Sequence, residues 1–160
     1  MKKIDAIDRK IIQMLQSNAR TTIKEIAAAV YLSSPSVAAR INRMEEEGLI
    51  VGYHAQVNPM LLNYNIKAFV NLDMQPSLKE EFYPYIRAIP NVVECNCVTG
   101  DFSMLIKVLF ETTDELDEFI NGLQRFGKTM TQIVFSTSVH QREVLIRNDE
   151  ELRPEIKAGA

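Results

Sequence analysis

The spacing of apolar residues changes once along this chain, near residue 60, and no other feature limits the possible folds as strongly. Before that point the period is helical; after it, segments of strict alternation stand between helical ones. A helix buries a stripe and a half-covered strand buries every second side chain, so the two parts need separate architectures. Two domains are expected, residues 1–60 and 61–160. With 160 residues, 46% of them hydrophobic, the chain can fill two small cores, which excludes extended disorder and a large multidomain enzyme. No run approaches about 18 consecutive apolar residues. The start, MKKIDAIDRK, mixes acids with lysines and lacks the apolar stretch of a secretory signal. A cytoplasmic protein without a membrane partner is the expectation.

The first sixty residues predict three helices and a wing. In IDAIDRKIIQMLQSNAR, Ile4, Ile7, Ile11 and Leu15 recur at helical spacing, and Asp5 and Asp8 place acids beside the free amides of a first turn. This helix should reach about Ser17. Thr22 followed by Glu25 is a capping box opening a short second helix, whose stripe is Ile23, Ile26, Ala27 and Val30. Tyr31 and Leu32 interrupt the pattern. In SSPSVAARINRMEEEG, Ser34 suits an N-cap, Pro35 the first helical position and Gly48 the position after the last turn. Two helices joined so tightly, after a first that can brace them, make a helix-turn-helix. Residues LIVGYHAQV then fit a short two-stranded wing interrupted by Gly52, with His54 on or beside it.

On the third helix Val37, Ile41 and Met44 point inward, leaving Pro35, Ser36, Ala39, Asn42 and Arg43 on the opposite side and Arg40 on the flank. A small residue at the centre of an exposed face lets the backbone sit deep in a groove. Around it, serine, asparagine and arginine supply donors for phosphates and base edges. Ser34, Pro35, Ser36, Ala39, Arg40, Asn42 and Arg43 are therefore the candidate DNA-contacting residues. A solvated helix face would have the same composition, and it is the preceding capped helix and tight turn that favour double-stranded DNA. Residues 1–60 hold eight Lys and Arg against six Asp and Glu, a balance of +2, and residues 61–160 hold ten against fifteen, a balance of −5. Because Glu45, Glu46 and Glu47 close the third helix and repel phosphate, its amino-terminal end should lead into the groove.

In the remaining hundred residues, Ile66 to Met74 alternates as a half-buried strand, with Ala68, Val70, Leu72 and Met74 on one face. Leu78, Phe82, Ile86 and Ile89 mark a helix that Pro84 should kink or end early. Val92 to Val98 and Phe102 to Phe110 are further strands around a Thr99, Gly100, Asp101 turn. A helix over about Thr113 to Gln124 precedes a last strand over about Thr129 to Val139. The order is βαββαβ, the ferredoxin-like arrangement, so the fold class is α+β with an N-terminal winged helix-turn-helix. Two helices cover one face of such a sheet, and the other should carry enough apolar side chains to need a partner. A second copy is the simplest, and a homodimer would present two reading helices about 34 Å apart to a pseudo-palindromic site.

Cys95 and Cys97 cannot build a disulfide framework and read as reduced core thiols; His54 and His140 are far apart, without metal-ligand spacing. No nucleophile with an adjacent base, carboxylate pair or metal cluster can be assembled, so no catalytic residue, cofactor or metal is expected.

Across nearly its whole length, from IDAIDRKIIQMLQSNARTTIKEIAAAVYLSSPSVAARINRMEEEGLI to the βαββαβ part containing VTGDFSMLI, the sequence resembles the Lrp/AsnC (feast/famine) transcription regulators. The resemblance implies a winged helix-turn-helix linked to an effector-sensing domain. It also implies dimers paired through their sheets, often assembled into octamers or larger discs, and DNA that is bent or wrapped. An amino acid or related metabolite is the implied effector, held between sensing domains near the turn that here is Gly100 and Asp101. That turn suits a zwitterion: free amides around Gly100 for a carboxylate, Asp101 for an ammonium. A plain hairpin turn has the same residues. Many members of the family carry a second acid two positions on, where this chain has Ser103. Thr99, Ser103, Ser136 and Thr137 complete the candidate effector set. The expected function is a metabolite-responsive DNA-binding regulator. The alternatives are an architectural DNA-wrapping protein of little sequence specificity and, from another class, a ferredoxin-like dimer acting on a small molecule.

Overall fold

A computed structural model describes residues 4–146 of the chain. These divide into two compact units, residues 4–56 together with 141–146, and residues 57–140. The sequence-based boundary after residue 60 lies close to this division, but residues 141–146, assigned there to the second domain, belong to the first unit. In it, the Gln16 side-chain amide donates to the Val144 carbonyl at 3.2 Å.

Three helices form the first unit: α1 (Ala6–Ser17), α2 (Ile23–Val30) and α3 (Ser34–Glu46). Each is started by a side chain that accepts a first-turn amide. Asp5 caps α1 in a reciprocal box with Asp8, and Thr22 caps α2 in the same way with Glu25. The cap of α3 is Ser33, not Ser34; its hydroxyl accepts from the Ser36 amide, which moves Ser34 and Pro35 into the first turn. Pro35 still costs no hydrogen bond there, because first-turn amides have no partner within the helix. At the other end Gly48 turns left-handed, with the Gly48 amide bonded to the Glu45 carbonyl and the Leu49 amide to that of Met44. Ile11, Ile26, Ala27, Val37, Ile41 and Met44 make the core, against which Ile7, Leu15, Val30 and Leu32 pack.

The wing differs from expectation. Residues 51–58 hold no strand and are exposed, so the expected two-stranded ribbon is absent from the wing of this helix-turn-helix. A two-stranded ribbon needs an apolar layer beneath it to persist, and Val51 stands clear of the core. The segment is instead tied to α3 by Tyr53, whose hydroxyl donates to Glu45 at 2.7 Å.

The second unit is a four-stranded antiparallel sheet, order β2-β3-β1-β4, with two helices on one face. Its elements are β1 (Ile66–Met74), α4 (Lys79–Arg87), β2 (Val92–Cys97), β3 (Met104–Phe110), α5 (Thr113–Gln124) and β4 (Gly127–Ile133). Alternation places Ala68, Val70, Leu72 and Met74 with Met104, Ile106, Val108 and Phe110 beneath Phe82, Ile86, Leu116, Phe119 and Leu123. Helix α4 runs through Pro84 to Arg87, because Pro84 and Glu80, whose carbonyl loses its donor, are both exposed and water can take that donor's place. β4 ends at Ile133, well before Val139: its partner strand starts at Ile66, so past the Val134 amide, which donates to the Lys67 carbonyl, only one residue of β1 remains. Of the two cysteines, only Cys95 packs against the core. Both lie on the edge strand β2, where Cys95 is half-buried and Cys97 exposed.

Candidate nucleic-acid interface and effector turn

Helix α3 is anchored by Val37, Ile41 and Met44, all buried, and it turns Ser34, Pro35, Ser36, Ala39 and Asn42 to solvent. Among the described residues of its own unit, nothing covers that face. The hydroxyls of Ser33 and Ser36 lie 2.8 Å apart beside the helix start, where unpaired amides attract anions.

Arg40 and Arg43 are placed differently from the other candidates. Arg40 Nη1 donates to Asp5 at 2.7 Å and to Asp8 at 2.8 Å, and Arg43 Nη2 donates to Asp8 at 2.6 Å. The two side chains keep 28% and 24% of their exposure, while that of Asp8 is at 1%. Both guanidiniums are thus bound to α1 and do not hang freely over the reading face. Burial pushes the Asp8 carboxyl up, but the hydrogen bonds from Arg40, Arg43 and the Asp5 amide outweigh it and hold the group below its ordinary value. Asp5 is lowered as well, by the Asp8 amide first; burial opposes this, and the Arg40 guanidinium adds to the lowering.

At the foot of the same helix, burial and the bond to the Glu45 carboxylate push the Tyr53 phenol up to about 12. Glu45 is therefore occupied with structure. His54 is exposed in the same segment.

In the second unit the structure separates the candidate effector residues into two groups. Thr99, Gly100 and Asp101 form an exposed turn between β2 and β3, with Gly100 at φ +115. Ser103 adjoins this turn but is already engaged: its amide donates to the Leu72 carbonyl at 3.1 Å, and its hydroxyl accepts from the Met74 amide at 2.9 Å and donates to the Leu72 carbonyl at 3.3 Å. It closes the β1–β3 ladder. Ser136 and Thr137 lie beyond β4 instead of within it, and Thr137 accepts from the ammonium of Lys67. Lys67 is at the start of β1 and Ser103 pairs at its end, so six residues of strand, on the order of 20 Å, separate the two groups within the chain.

The comparisons with known proteins match both parts of the chain. Residues 4–51 match the model of a winged helix-turn-helix DNA-binding domain, and residues 67–144 match that of the Lrp/AsnC ligand-binding domain. The chain belongs to the Lrp/AsnC family of transcriptional regulators. It is 35% identical over 135 residues to an uncharacterised HTH-type transcriptional regulator, YezC, of Bacillus subtilis, covering 84% of this chain and 96% of that one. It is 36% identical over 145 residues to the proline dehydrogenase transcriptional activator of Rhodobacter capsulatus, covering 86% and 94%. Among solved structures, a feast or famine regulatory protein from M. tuberculosis complexed with L-methionine superposes with a TM-score of 0.83, at 26% identity over 89% of this chain and 99% of that one.

The Lrp/AsnC regulator described here thus has a DNA-binding unit and a ligand-binding unit. One feature beside the reading face escaped the sequence-based reading, the ion cluster, although a signal for it existed: Asp5 and Asp8 are spaced i, i+3 at the start of α1, as are Arg40 and Arg43 on α3. No helix among the described residues is long and apolar enough to cross a membrane.

Proposed function

We propose that this regulator reads double-stranded DNA with the outer face of α3, its amino-terminal end leading into the major groove and Ser34, Pro35, Ser36, Ala39 and Asn42 against the duplex. The observation that carries this is the bare face around Ala39 on a helix whose opposite side is fully anchored: a backbone so presented can approach base edges closely. Arg40 and Arg43, braced by Asp8 and Asp5, flank that face and offer phosphates guanidinium N–H donors held in place. Fewer swinging cations favour reading over indiscriminate coating.

A second copy supplies the second reading helix. The uncovered side of the sheet bears Phe69, Leu105, Leu109 and Met130 among Lys107, Glu94, Asp73 and Lys128, an apolar seam bounded by charges that suits a homodimer and supports larger assemblies. The effector is an amino acid or a close relative of one, its carboxylate on the amides around Gly100 and its ammonium on Asp101. The L-methionine in the mycobacterial structure supports that class. The protein works by binding and not by catalysis, in the cytoplasm, where its DNA is.

Selection of duplexes from a random pool by the purified protein tests this reading. Enrichment of a pseudo-palindrome whose binding resists excess random duplex, with an apparent affinity that shifts when L-methionine or another amino acid is added, is the expected result. Equal retention of every duplex would replace sequence reading with DNA coating.

A further inference from the structure

Tyr31 closes α2 with φ 56 and ψ 42, in the left-handed region. Its amide and that of Leu32 both bond to the Ala27 carbonyl, the arrangement that ends a helix by turning one residue left-handed. Glycine is the usual occupant, because any other side chain brings its Cβ against the backbone. Here the position holds a large aromatic residue. Its ring recovers nothing from packing: it is 95% exposed, and among the described residues neither a hydrogen bond nor a ring contact engages it. A strained residue with no structural return is a sign of work done elsewhere.

The location indicates what that work is. Tyr31 is in the three-residue turn directly before α3, next to Ser33 and on the approach to the exposed Ser34–Ser36 edge. We infer that Tyr31 is a DNA-anchoring residue, its phenol hydroxyl donating to a backbone phosphate that borders the groove entered by α3. The inference rests on the reading of α3 proposed above. Turn amides and hydroxyls beside a reading helix set its depth and register on the duplex and carry no sequence information. A phenol adds to this a rigid reach with two side-chain torsions and no charge, so the contact strengthens binding without adding to its dependence on salt.

Tyr31→Gly and Tyr31→Phe separate strain from contact. The full-length protein and both variants are titrated, over a salt series, against a duplex selected by the wild type from a random pool and against an unselected duplex of equal length, and their melting temperatures are measured. Tyr31→Gly should melt higher than wild type yet bind both duplexes about tenfold more weakly, with the salt slope unchanged. Tyr31→Phe should melt as wild type does and show most of the same loss. Wild-type affinity in Tyr31→Phe overturns the assignment, and so does a lower melting temperature in Tyr31→Gly, which removes the strain behind it. Weakening confined to the selected duplex overturns the phosphate contact in favour of base reading. Failure of the wild type to bind any duplex removes the DNA reading itself, a separate result.

Discussion

The Asp8 carboxylate lies 2.6 Å from Arg43 Nη2 and 2.8 Å from Arg40 Nη1, one oxygen to each guanidinium, so a single buried acid on α1 ties down two turns of the helix proposed to read DNA. Asp5 adds a second contact to Arg40 at 2.7 Å from the exposed side. The cluster fixes the rotation of α3 about its axis, and with it the direction in which Ala39 and Asn42 face. Arg43 Nε is buried without a partner among the described residues, so the arrangement is not a minimum of hydrogen-bond cost. It secures one geometry of α3 over its alternatives.

Asp8→Ala leaves the part-buried Arg43 unpaired and Arg40 with Asp5 alone. Removing one partner from a fully buried pair costs about 3–5 kcal/mol, but both arginines retain some exposure and can turn to water, so about 2–3 kcal/mol is expected. Urea denaturation followed by helical circular dichroism measures it. A loss below 0.5 kcal/mol would show the cluster to be incidental.

Acid should weaken the first unit. The Asp8 carboxyl is held below its unfolded value of 3.8, so its contribution is complete above about pH 4 and is lost as pH falls through the lower folded value. Amide exchange of α1 to α3 should accelerate across that window in wild type and less in Asp8→Asn, where Asp5 alone of the two still titrates. An identical acid response in the variant would assign the effect to other carboxylates.

Asn42→Ala should cost about 1–3 kcal/mol on a selected duplex if its amide reads a base, with discrimination relaxed at one position. Because Asn42 is exposed, its melting temperature should not move. Binding arrays of single-base variants give both quantities. Undiminished discrimination would shift reading towards Ser36.

Gly127 begins β4 at φ +156, and a Cβ built there would lie 1.9 Å from the Asp73 carbonyl oxygen. The backbone of β1 cannot yield without opening the sheet. Gly127→Ala should destabilise the second unit by about 2–4 kcal/mol, or force a register change visible in NMR spectra. Thermal unfolding close to wild type would show that the strand start relaxes freely.

Asp101→Ala should abolish the calorimetric binding of an amino acid effector and leave DNA affinity of the free protein intact, since the residue sits exposed in a turn of the ligand-binding unit. Retained heat of binding would remove Asp101 from the site.

Local signals were legible and distant ones were not. The capping box at Thr22, the alternation of Ile66 to Met74 and the stripe from Leu116 to Leu123 specify their elements, because each depends on residues within one or two turns or along one strand. Their bounds and faces follow from the amino-acid order alone, as do the βαββαβ succession and the bare side of α3 around Ala39. Ser33 displaced Ser34 as cap because two adjacent serines offer the same hydroxyl and only the approach of the chain from the turn chooses between them.

Other properties were settled by packing. Arg40 and Arg43 belong by composition to a solvated or DNA-facing surface, and it is the crossing of α3 over α1, joining residues 32 to 35 positions apart, that commits them to Asp8. Ser103 looked available to a ligand until the end of β1 came alongside and took its hydroxyl; β4 stopped where only one residue of β1 remained. Such outcomes depend on the relative placement of remote segments, and that placement is an energy minimum over the whole core, to which no local run of residues holds the key.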